Sequence, residues 1–239
     1  MKCRVFLFCA SLMAAIGLVT AAFSTPPPAP GDAPSGSAFL PDKGRLRILQ
    51  QGSEVGTEDF ELAPSGDQWT LRGETTIRAS GSGDVRSTGQ LRLTADGTPL
   101  HYTWTAQAEK KASGSVEFQN GTAKTSINLG AKGPLLQDFT FTSPRVAVLD
   151  NNLYDQYAIL GRLYDWGAKG TQTFSVLIPQ DATPGSVDVE SLGPKNIEGI
   201  TLEELRVHST DLEIELYLDA KHHLMRLEVP SAKVVIVRQ

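Results

Sequence analysis

Apolar and polar residues alternate along most of the chain after residue 44, which is the pattern of half-buried β-strands. Leu91 and Leu93 alternate with polar neighbours, and Tyr102 and Trp104 do the same in the next segment. The clearest case is the segment from Leu212 to Asp219, where every second position is Leu or Ile and most residues between are acidic. The pattern predicts strands with one apolar and one polar face, in a sheet with one buried side.

Turn signals separate these strand-length segments. The pairs Asp96-Gly97 and Asn120-Gly121 favour two-residue hairpins, because both central positions of such a turn need a positive φ. Strands joined by tight turns pair antiparallel with their neighbours in the chain. The sequence therefore predicts an up-and-down antiparallel meander.

One segment follows a helical period instead of a period of two. Its apolar residues recur at spacings of 4, 3 and 4 positions, namely Leu153, Tyr157, Leu160 and Tyr164. This spacing places them on one face of an α-helix of about 14 residues, or about 21 Å. Residues 150–152 are candidate N-caps, and Asp155 in the first turn suits the helix dipole. About seven predicted strands precede this helix and six follow it.

A long antiparallel sheet with a single helix has few ways to bury its apolar face. We expect a mainly β protein, with a strongly curved antiparallel meander sheet that forms a half-barrel or barrel-like shape and one central α-helix that plugs it. A sandwich with the helix at one end is the alternative. The helix is long enough to cross the mouth of a curled sheet, so it should form the floor or lid of any cavity.

The first 24 residues have the composition of a secretory signal peptide. Lys2 and Arg4 precede an apolar run from Val5 to Ala22, and the run ends in small residues before a Pro-rich stretch. A membrane anchor is the alternative, but the apolar run is short and is interrupted by a glycine. We predict that residues 1–24 are a signal peptide cleaved near Ser24, and that the protein is exported to the periplasm or the extracellular space.

The rest of the chain divides into a linker and one domain. Residues 25–43 form a Pro-rich linker, and residues 44–239 form a single β-rich domain. Cleavage near Ser24 would remove Cys3 and Cys9, the only two cysteines, and with them any disulfide or thiolate metal site. It would also leave 20 basic residues against 27 acidic ones, a net charge of −7. We expect no nucleic-acid partner, and no integral membrane protein after cleavage.

Known catalytic motifs are absent from the sequence. It contains no Gly-x-Ser-x-Gly elbow, no His-Glu-x-x-His and no phosphate- or dinucleotide-binding loop. His222 and His223 are neighbours in a predicted turn, where adjacent side chains diverge. Glu213 and Glu215 share a strand face, but it is the polar, solvated one. We predict no catalytic residue, no metal site and no cofactor.

Four short stretches carry a resemblance to known proteins. They are the segments Gly52 to Phe60, Leu91 to Leu100, Asp150 to Asn152 and Leu218 to Leu227. In these the chain resembles an uncharacterised group of bacterial exported β domains, some of which resemble the amino-terminal halves of secreted α/β-hydrolase-like proteins.

From about residue 44 to 238, the order of elements is also similar to that of the half-barrels of periplasmic lipoprotein carriers. That resemblance implies an acyl chain or another apolar ligand inside a curved sheet. The sequence differs from those carriers in having one helix where they have several.

Aromatic residues on or beside the predicted helix are the best candidates for ligand binding, because amphipathic rings can pack against a sheet and still offer a hydroxyl or an indole N–H. Core packing explains the same rings without a ligand, and helix capping explains Asp150. The predicted ligand-binding residues are Tyr102, Trp104, Asp150, Tyr154, Tyr157, Tyr164 and Trp166.

Three functions stay open. The first is an exported, non-enzymatic binding protein that holds an apolar or lipid-like ligand between the curved sheet and the helix, and it predicts a dry cavity. The second is an envelope protein–protein interaction or accessory domain, which predicts a filled core and an exposed apolar patch or unpaired sheet edge. The third is a hydrolase with an unrecognised site, which predicts convergent polar groups with perturbed pKa values in a pocket.

Overall fold

The computed structural model describes residues 37–79, 83–108, 110–130, 133–143, 145–168 and 170–239. The predicted signal peptide (residues 1–24) and most of the predicted linker (25–43) lie outside the described residues. The described elements are β1 (Asp42–Gln50), β2 (Ser53–Ser65), β3 (Gln68–Ala79), β4 (Gly83–Thr94), β5 (Pro99–Gln107), β6 (Lys111–Gln119), β7 (Thr122–Asn128), β8 (Leu135–Thr140), β9 (Val146–Val148), α1 (Asp155–Leu163), β10 (Gln172–Ile178), β11 (Thr183–Ile197), β12 (Ile200–His208), β13 (Glu213–Leu218), β14 (Leu224–Val229) and β15 (Val234–Arg238).

The chain enters the sheet in its middle. β1 pairs with β2 on one side and with the last strand, β15, on the other. From β1 the chain runs outward as an antiparallel meander to β8 at one edge, then crosses to β9 at the opposite edge and returns from β10 to β15. Among the described strands, the pair β9–β10 is the one parallel pair.

The short connection between β8 and β9 forces this sheet to curl. A flat sheet of 15 strands spaced by about 4.8 Å is about 67 Å wide. The six residue steps from Thr140 to Val146 span at most about 21 Å. The two edges therefore approach each other, and the sheet is barrel-like. This confirms the predicted fold class, a mainly β protein with a strongly curved antiparallel meander sheet and one helix.

The alternation in the sequence separates the inside of the sheet from the outside. Leu91 and Leu93 are buried, as are Tyr102 and Trp104, and their polar neighbours on the same strands are mostly exposed or half-exposed. Asn120 and Gly121 both have positive φ, at 51° and 77°, between β6 and β7. The predicted Asn-Gly hairpin is therefore confirmed.

The inner face of the sheet has glycines, and therefore no side chains, where the helix approaches it. The strand register aligns one cross-strand row of Gly44, Phe60, Gly73, Gly89, Trp104 and Gly114. The indole of Trp104 covers Gly114, where a Cβ would lie 2.6 Å from Nε1. At Gly89, a Cβ would lie 2.8 Å from Cδ1 of Leu153. The glycines in the centre of the row therefore let the start of the helical segment lie directly against the sheet.

The helix is shorter than predicted. It has nine residues instead of about 14, and its length is about 14 Å. It contacts β3 on one wall and β13, β14 and β9 on the other. Leu153, Leu160 and Tyr164 of the predicted apolar face are buried, and Tyr157 is partly buried. The predicted N-caps at residues 150–152 were wrong, because Tyr154 is the residue that precedes the helix and its side chain makes no cap hydrogen bond.

Candidate functional site

Glu58 of β2 lies at the N-terminal end of α1 and acts as its cap from across the barrel. Glu58 Oε2 accepts a hydrogen bond from the N–H of Tyr154 at 2.8 Å, and Oε1 accepts one from the N–H of Asp155 at 2.7 Å. The hydroxyl of Thr75 on β3 donates to Oε2 at 3.1 Å. The side chain is fully buried. It satisfies helix N–H groups that have no acceptor within the helix, and its charge suits the positive end of the helix dipole.

Asp155, the first residue of α1, brings a second buried carboxyl into the site of Glu58. Its Oδ1 atom is buried without a hydrogen-bond partner among the described residues, and two carboxyls can bond to each other only with one proton between them. Burial, together with the neighbouring charge of Glu58, raises the pKa of Asp155 well above its usual value. Burial also raises the pKa of Glu58, although the hydrogen bonds that Glu58 accepts act to lower it. Three donors on Glu58 favour its ionised form, so the site favours the neutral form of Asp155.

Gly73 of β3 provides the space for this carboxyl. A Cβ at position 73 would lie 2.6 Å from Oδ2 of Asp155, closer than two such atoms can approach without displacement. Gly73 pairs with Phe60 of β2 and Gly89 of β4 in the register. The helix start is thus seated on the part of the wall that lacks side chains.

A second buried network joins β5 to the segment that leads into α1. The hydroxyl of Tyr102 donates to Oδ2 of Asp150 at 2.9 Å and accepts from Nε2 of Gln156 at 3.1 Å. Oε1 of Gln156 accepts the N–H of Asp150. The other oxygen of Asp150 accepts the N–H groups of Asn151 and Gln180, both at 3.0 Å.

Burial dominates the electrostatics of this second network. It raises the pKa of Asp150 from 3.8 to about 6, because the loss of hydration outweighs the hydrogen bonds that favour the carboxylate. Burial and the carboxylate of Asp150 also raise the pKa of Tyr102 well above 10. Tyr102 thus stays a hydrogen-bond donor, and the network links two parts of the chain by charge-assisted hydrogen bonds.

Side chains fill the contacts between the helical segment and both walls of the sheet at Gly89 and Gly161. Leu153 lies against Gly89 on one wall, and a Cβ at Gly161 of the helix would lie 3.1 Å from Cδ1 of Leu218 on the other. A hollow of about 480 Å³ lies on the outer face of β1–β5, and a cleft of about 320 Å³ lies between β9 and the β6–β7 turn. Neither is lined by Glu58 or Asp150. The buried carboxyls therefore hold the helix in place and face no open space in either hollow.

The structure brings two of the predicted ligand-binding residues into direct contact, Tyr102 and Asp150. Trp104, two positions along β5, has a buried indole N–H that no described residue accepts. Tyr154 and Tyr157 pack against the core and are partly buried. Ligand binding by these residues stays a prediction.

The remaining two predicted residues lie at the other end of the helix. The rings of Tyr164 and Trp166 meet edge to face at 5.1 Å, and the ring of Trp166 stacks on His222 at 4.3 Å. The Tyr164 hydroxyl donates to the carbonyl of Gly170 at 2.7 Å. The predicted set is therefore spread over both ends of α1 and does not surround one space.

Sequence reasoning missed Glu58 and Gln156. Glu58 alternates with Gly56 and Phe60 on the inner side of β2, so it is a charged residue in a buried row. A charged residue at a position where the alternation predicts a buried one indicates such a site, because a buried carboxylate needs a partner elsewhere in the chain. Gln156 follows Asp155 on the helix and had no comparable signal.

The free edge of the sheet at β8 is a second candidate region. Its first four residues are exposed, and Leu135 and Leu136 are 53% and 70% exposed on opposite faces. The N–H of Phe141 donates to the carbonyl of Gly121 on the β7 side at 2.7 Å. By the antiparallel alternation, the main-chain groups of Leu136, Asp138 and Thr140 point away from β7. No strand among the described residues pairs with that side.

Metal ligands do not cluster in the parts of the chain that the structure describes. Those parts hold no group of three or more His, Cys, Asp or Glu side chains that could bind a metal ion. Within the same ranges, no helix has the length and apolar character needed to span a membrane.

Comparison with protein families and with curated proteins gives no match. Among solved structures, the fold is similar to a β-barrel-like protein of the domain of unknown function DUF1849 from Brucella abortus, with a TM-score of 0.54, 12% identity, and coverage of 84% of this chain and 95% of that chain. A DUF1089 family protein from Pseudomonas aeruginosa gives a TM-score of 0.41 and 11% identity, over 73% of this chain and 90% of that chain. The first likeness supports a β-barrel-like domain. The resemblance to lipoprotein carriers is not confirmed.

Proposed function

We propose that this protein is an exported, non-enzymatic binding module of the cell envelope, which pairs an extended segment of another exported protein with the free edge of β8. The observation that carries the proposal is the unpaired edge with leucines exposed on both of its faces. Natural sheets cover such edges or protect them with Lys, Pro or several charges. β8 has one charge, Asp138, along its six residues.

The chemistry of the edge favours a particular kind of partner segment. The outward main-chain groups of β8 would pair with an extended chain, as in β-strand addition. Leu135 and Leu136 would flank that chain on its two faces and favour apolar residues there. Asp138 favours a basic residue in the partner. A second copy of β8 is a poorer match, because it adds a second acidic edge to a chain whose formal net charge is already −5.

The test uses a display library of random ten-residue peptides, selected on the purified protein. Asp138→Pro removes one outward N–H without touching the hydrogen bonds to β7, since proline is tolerated at such edge positions. Asp138→Ala is the matched control, because it removes the charge and keeps the N–H. We expect selected peptides to be apolar with one or more basic residues, to bind wild type, to bind Asp138→Ala more weakly and to lose binding to Asp138→Pro.

Two outcomes contradict the edge proposal. One is a selection that enriches no peptide. The other is a set of peptides that bind Asp138→Pro as tightly as wild type, since these would bind elsewhere on the protein. Thermal unfolding of both variants checks that neither substitution has disturbed the fold.

An apolar ligand between the sheet and α1 is the second candidate. The observation that favours it is that polar contacts hold the start of the helix against a wall of glycines. The ligand would have to displace Leu153 from Gly89. With a fluorescent long-chain fatty acid as probe, Tyr157→Ala should weaken binding more than Glu213→Ala, and equal affinities would exclude a pocket lined by the helix.

A further inference from the structure

We infer that Glu58 and Asp155 share a proton, that this proton is a latch for the N-terminal end of α1, and that its loss releases this end of the helix from the sheet. The inference is independent of the proposed binding at β8. It rests on the way the two ends of one short helix are attached.

The N-terminal attachment depends on a single carboxylate. Glu58 accepts both the N–H of Tyr154 and the N–H of Asp155, and its third donor is Thr75. The carboxyl of Asp155 lies in the same buried site, and in its neutral form it has a proton to donate to this group. All four donors therefore meet on Glu58, and a change in the charge of either carboxyl acts on the whole contact.

The groups that face this pair are acidic or neutral on every element around it. β2 contributes Glu58 and β3 contributes Thr75 and Gly73. The segment before the helix contributes Tyr154, whose neighbours include Tyr157. On the side of the second network, β5 contributes Tyr102 and the loop contributes Asp150.

No Lys, Arg or His side chain in the described ranges bonds to either carboxyl. A second negative charge on the pair would therefore have no counter-ion. Two like charges in a buried site without a counter-ion repel each other strongly. Separation of the two carboxyls relieves this repulsion, and it requires the helix start to leave the wall.

The C-terminal end of α1 is attached by an ion pair and by apolar packing. Nη2 of Arg162 lies 3.1 Å from Oδ2 of Asp42, and Nη1 donates to the carbonyl of Leu40 at 3.0 Å. Gly161 packs against Leu218 at the same end. The helix is thus anchored at one end by an ion pair and at the other by a proton. Deprotonation would make it pivot about Arg162 and uncover the wall at Gly73 and Gly89.

The sign of the effect follows from the direction of the pKa shift. The pKa of Asp155 is raised in the folded protein, so the folded state keeps the proton at a pH where the unfolded chain has lost it. The contact is intact at low pH and weakens as the pH rises towards the raised pKa. Release is therefore expected on the alkaline side.

Hydrogen–deuterium exchange of the purified protein tests the latch directly. Exchange of the amides of residues 153–158, corrected for the intrinsic effect of pH, is measured from about pH 5 to about pH 9. In the wild type we expect protection to fall at least about tenfold over this range, which corresponds to about one pKa unit of coupling. Amides of β13 on the opposite wall should change much less.

Asp155→Asn is the decisive variant, because the amide of Asn donates to Glu58 at every pH. Above about pH 7, where Asp150 is already ionised, we expect its protection at residues 153–158 to change much less than that of the wild type. Glu58→Gln is the second variant, in case Asp155→Asn does not fold, and it should also remove the pH dependence because a neutral amide replaces one charge. Glu213→Gln, at an exposed position on β13, is the control and should behave as wild type. A pH profile that is the same in wild type and in a folded latch variant would overturn the inference.

Discussion

The hydroxyl of Tyr102 donates a hydrogen bond to Asp150 at 2.9 Å, although 48 residues separate them in the chain. The contact joins the centre of the first half of the sheet to the loop that follows β9 at its far edge. A single buried hydroxyl therefore links the two halves of the meander through the segment that starts the helix.

Removal of this hydroxyl should destabilise the protein. Tyr102→Phe keeps the ring but leaves Asp150 with one donor fewer and Nε2 of Gln156 without its acceptor. We expect a loss of about 1–3 kcal/mol in the free energy of unfolding, the usual cost of an unsatisfied buried polar group. Urea unfolding measures it. Thr105→Val, which removes an exposed hydroxyl of the same strand, should cost less than about 0.5 kcal/mol, and similar losses in both variants would contradict the role given to Tyr102.

The raised pKa of Asp150 predicts a pH-dependent stability. The pKa of Asp150 is about 6 in the folded protein, against an ordinary value of 3.8. Between these two pH values the folded state therefore binds more protons than the unfolded state. The free energy of unfolding should therefore fall by about 3 kcal/mol in total on account of this group, of which about 2 kcal/mol is lost as the pH rises from about 4 to about 6. In Asp150→Asn this part of the slope should disappear.

The comparison is made by urea unfolding at about pH 4 and about pH 7, with Asp67→Asn in an exposed turn as control. Asp155 contributes a slope of the same sign, so the informative quantity is the difference between wild type and Asp150→Asn. An unchanged slope in that variant would mean that Asp150 is not the titrating group.

A side chain at Gly73 should push the helix off the wall. In Gly73→Ala the new Cβ would lie 2.6 Å from Oδ2 of Asp155, and overpacking of this kind costs about 1–3 kcal/mol. Gly185→Ala on β11 is the matched control, because the nearest atom to its Cβ is 3.5 Å away. Thermal unfolding should separate the two variants clearly. A wild-type melting temperature in Gly73→Ala would show that the contact between helix and wall is loose.

Loss of the charge of Asp42, which binds Arg162 at the C-terminal end of α1, should destabilise the protein. Asp42 is hydrogen-bonded to Arg162 at 3.1 Å and to Arg238 at 2.6 Å, and its carboxylate is buried. Asp42→Asn should cost about 3–5 kcal/mol, because it leaves buried guanidinium groups unpaired. Asp59→Asn removes the same charge from the exposed pair with Arg45 and should cost at most about 1 kcal/mol. Equal costs in chemical unfolding would argue against the anchor.

The alternation of residues predicts the strands well, because burial on one face is a local property of the chain. The segment from Leu212 to Asp219, which shows the clearest alternation, forms β13 over Glu213–Leu218. Six strands follow the helix, as predicted, whereas nine precede it instead of about seven. Among the described strands β9 is the shortest, and its three residues are all buried and do not alternate.

The contacts that hold the helix could not be predicted from local pattern. The cap of α1 lies on β2, 97 residues before Asp155, so no spacing rule relates them. The same holds for Tyr102 and Asp150, which were both predicted as candidate residues but for ligand binding. Asp155 was correctly placed in the first turn of the helix, yet it is Glu58 whose charge faces the helix dipole. Pairing of this kind depends on the register of the whole sheet.

The position of β1 between β2 and β15 has a consequence for how the protein folds. Each half of the sheet is made of neighbours in sequence, which pair quickly, but the seam joins Leu46 to Arg238 and must close a very long loop. Until Val234–Arg238 has been synthesised, β1 and β14 both present open edges that can recruit other chains. A chain cut before β15 should therefore aggregate rather than form a smaller barrel, and the last strand decides the yield of native protein.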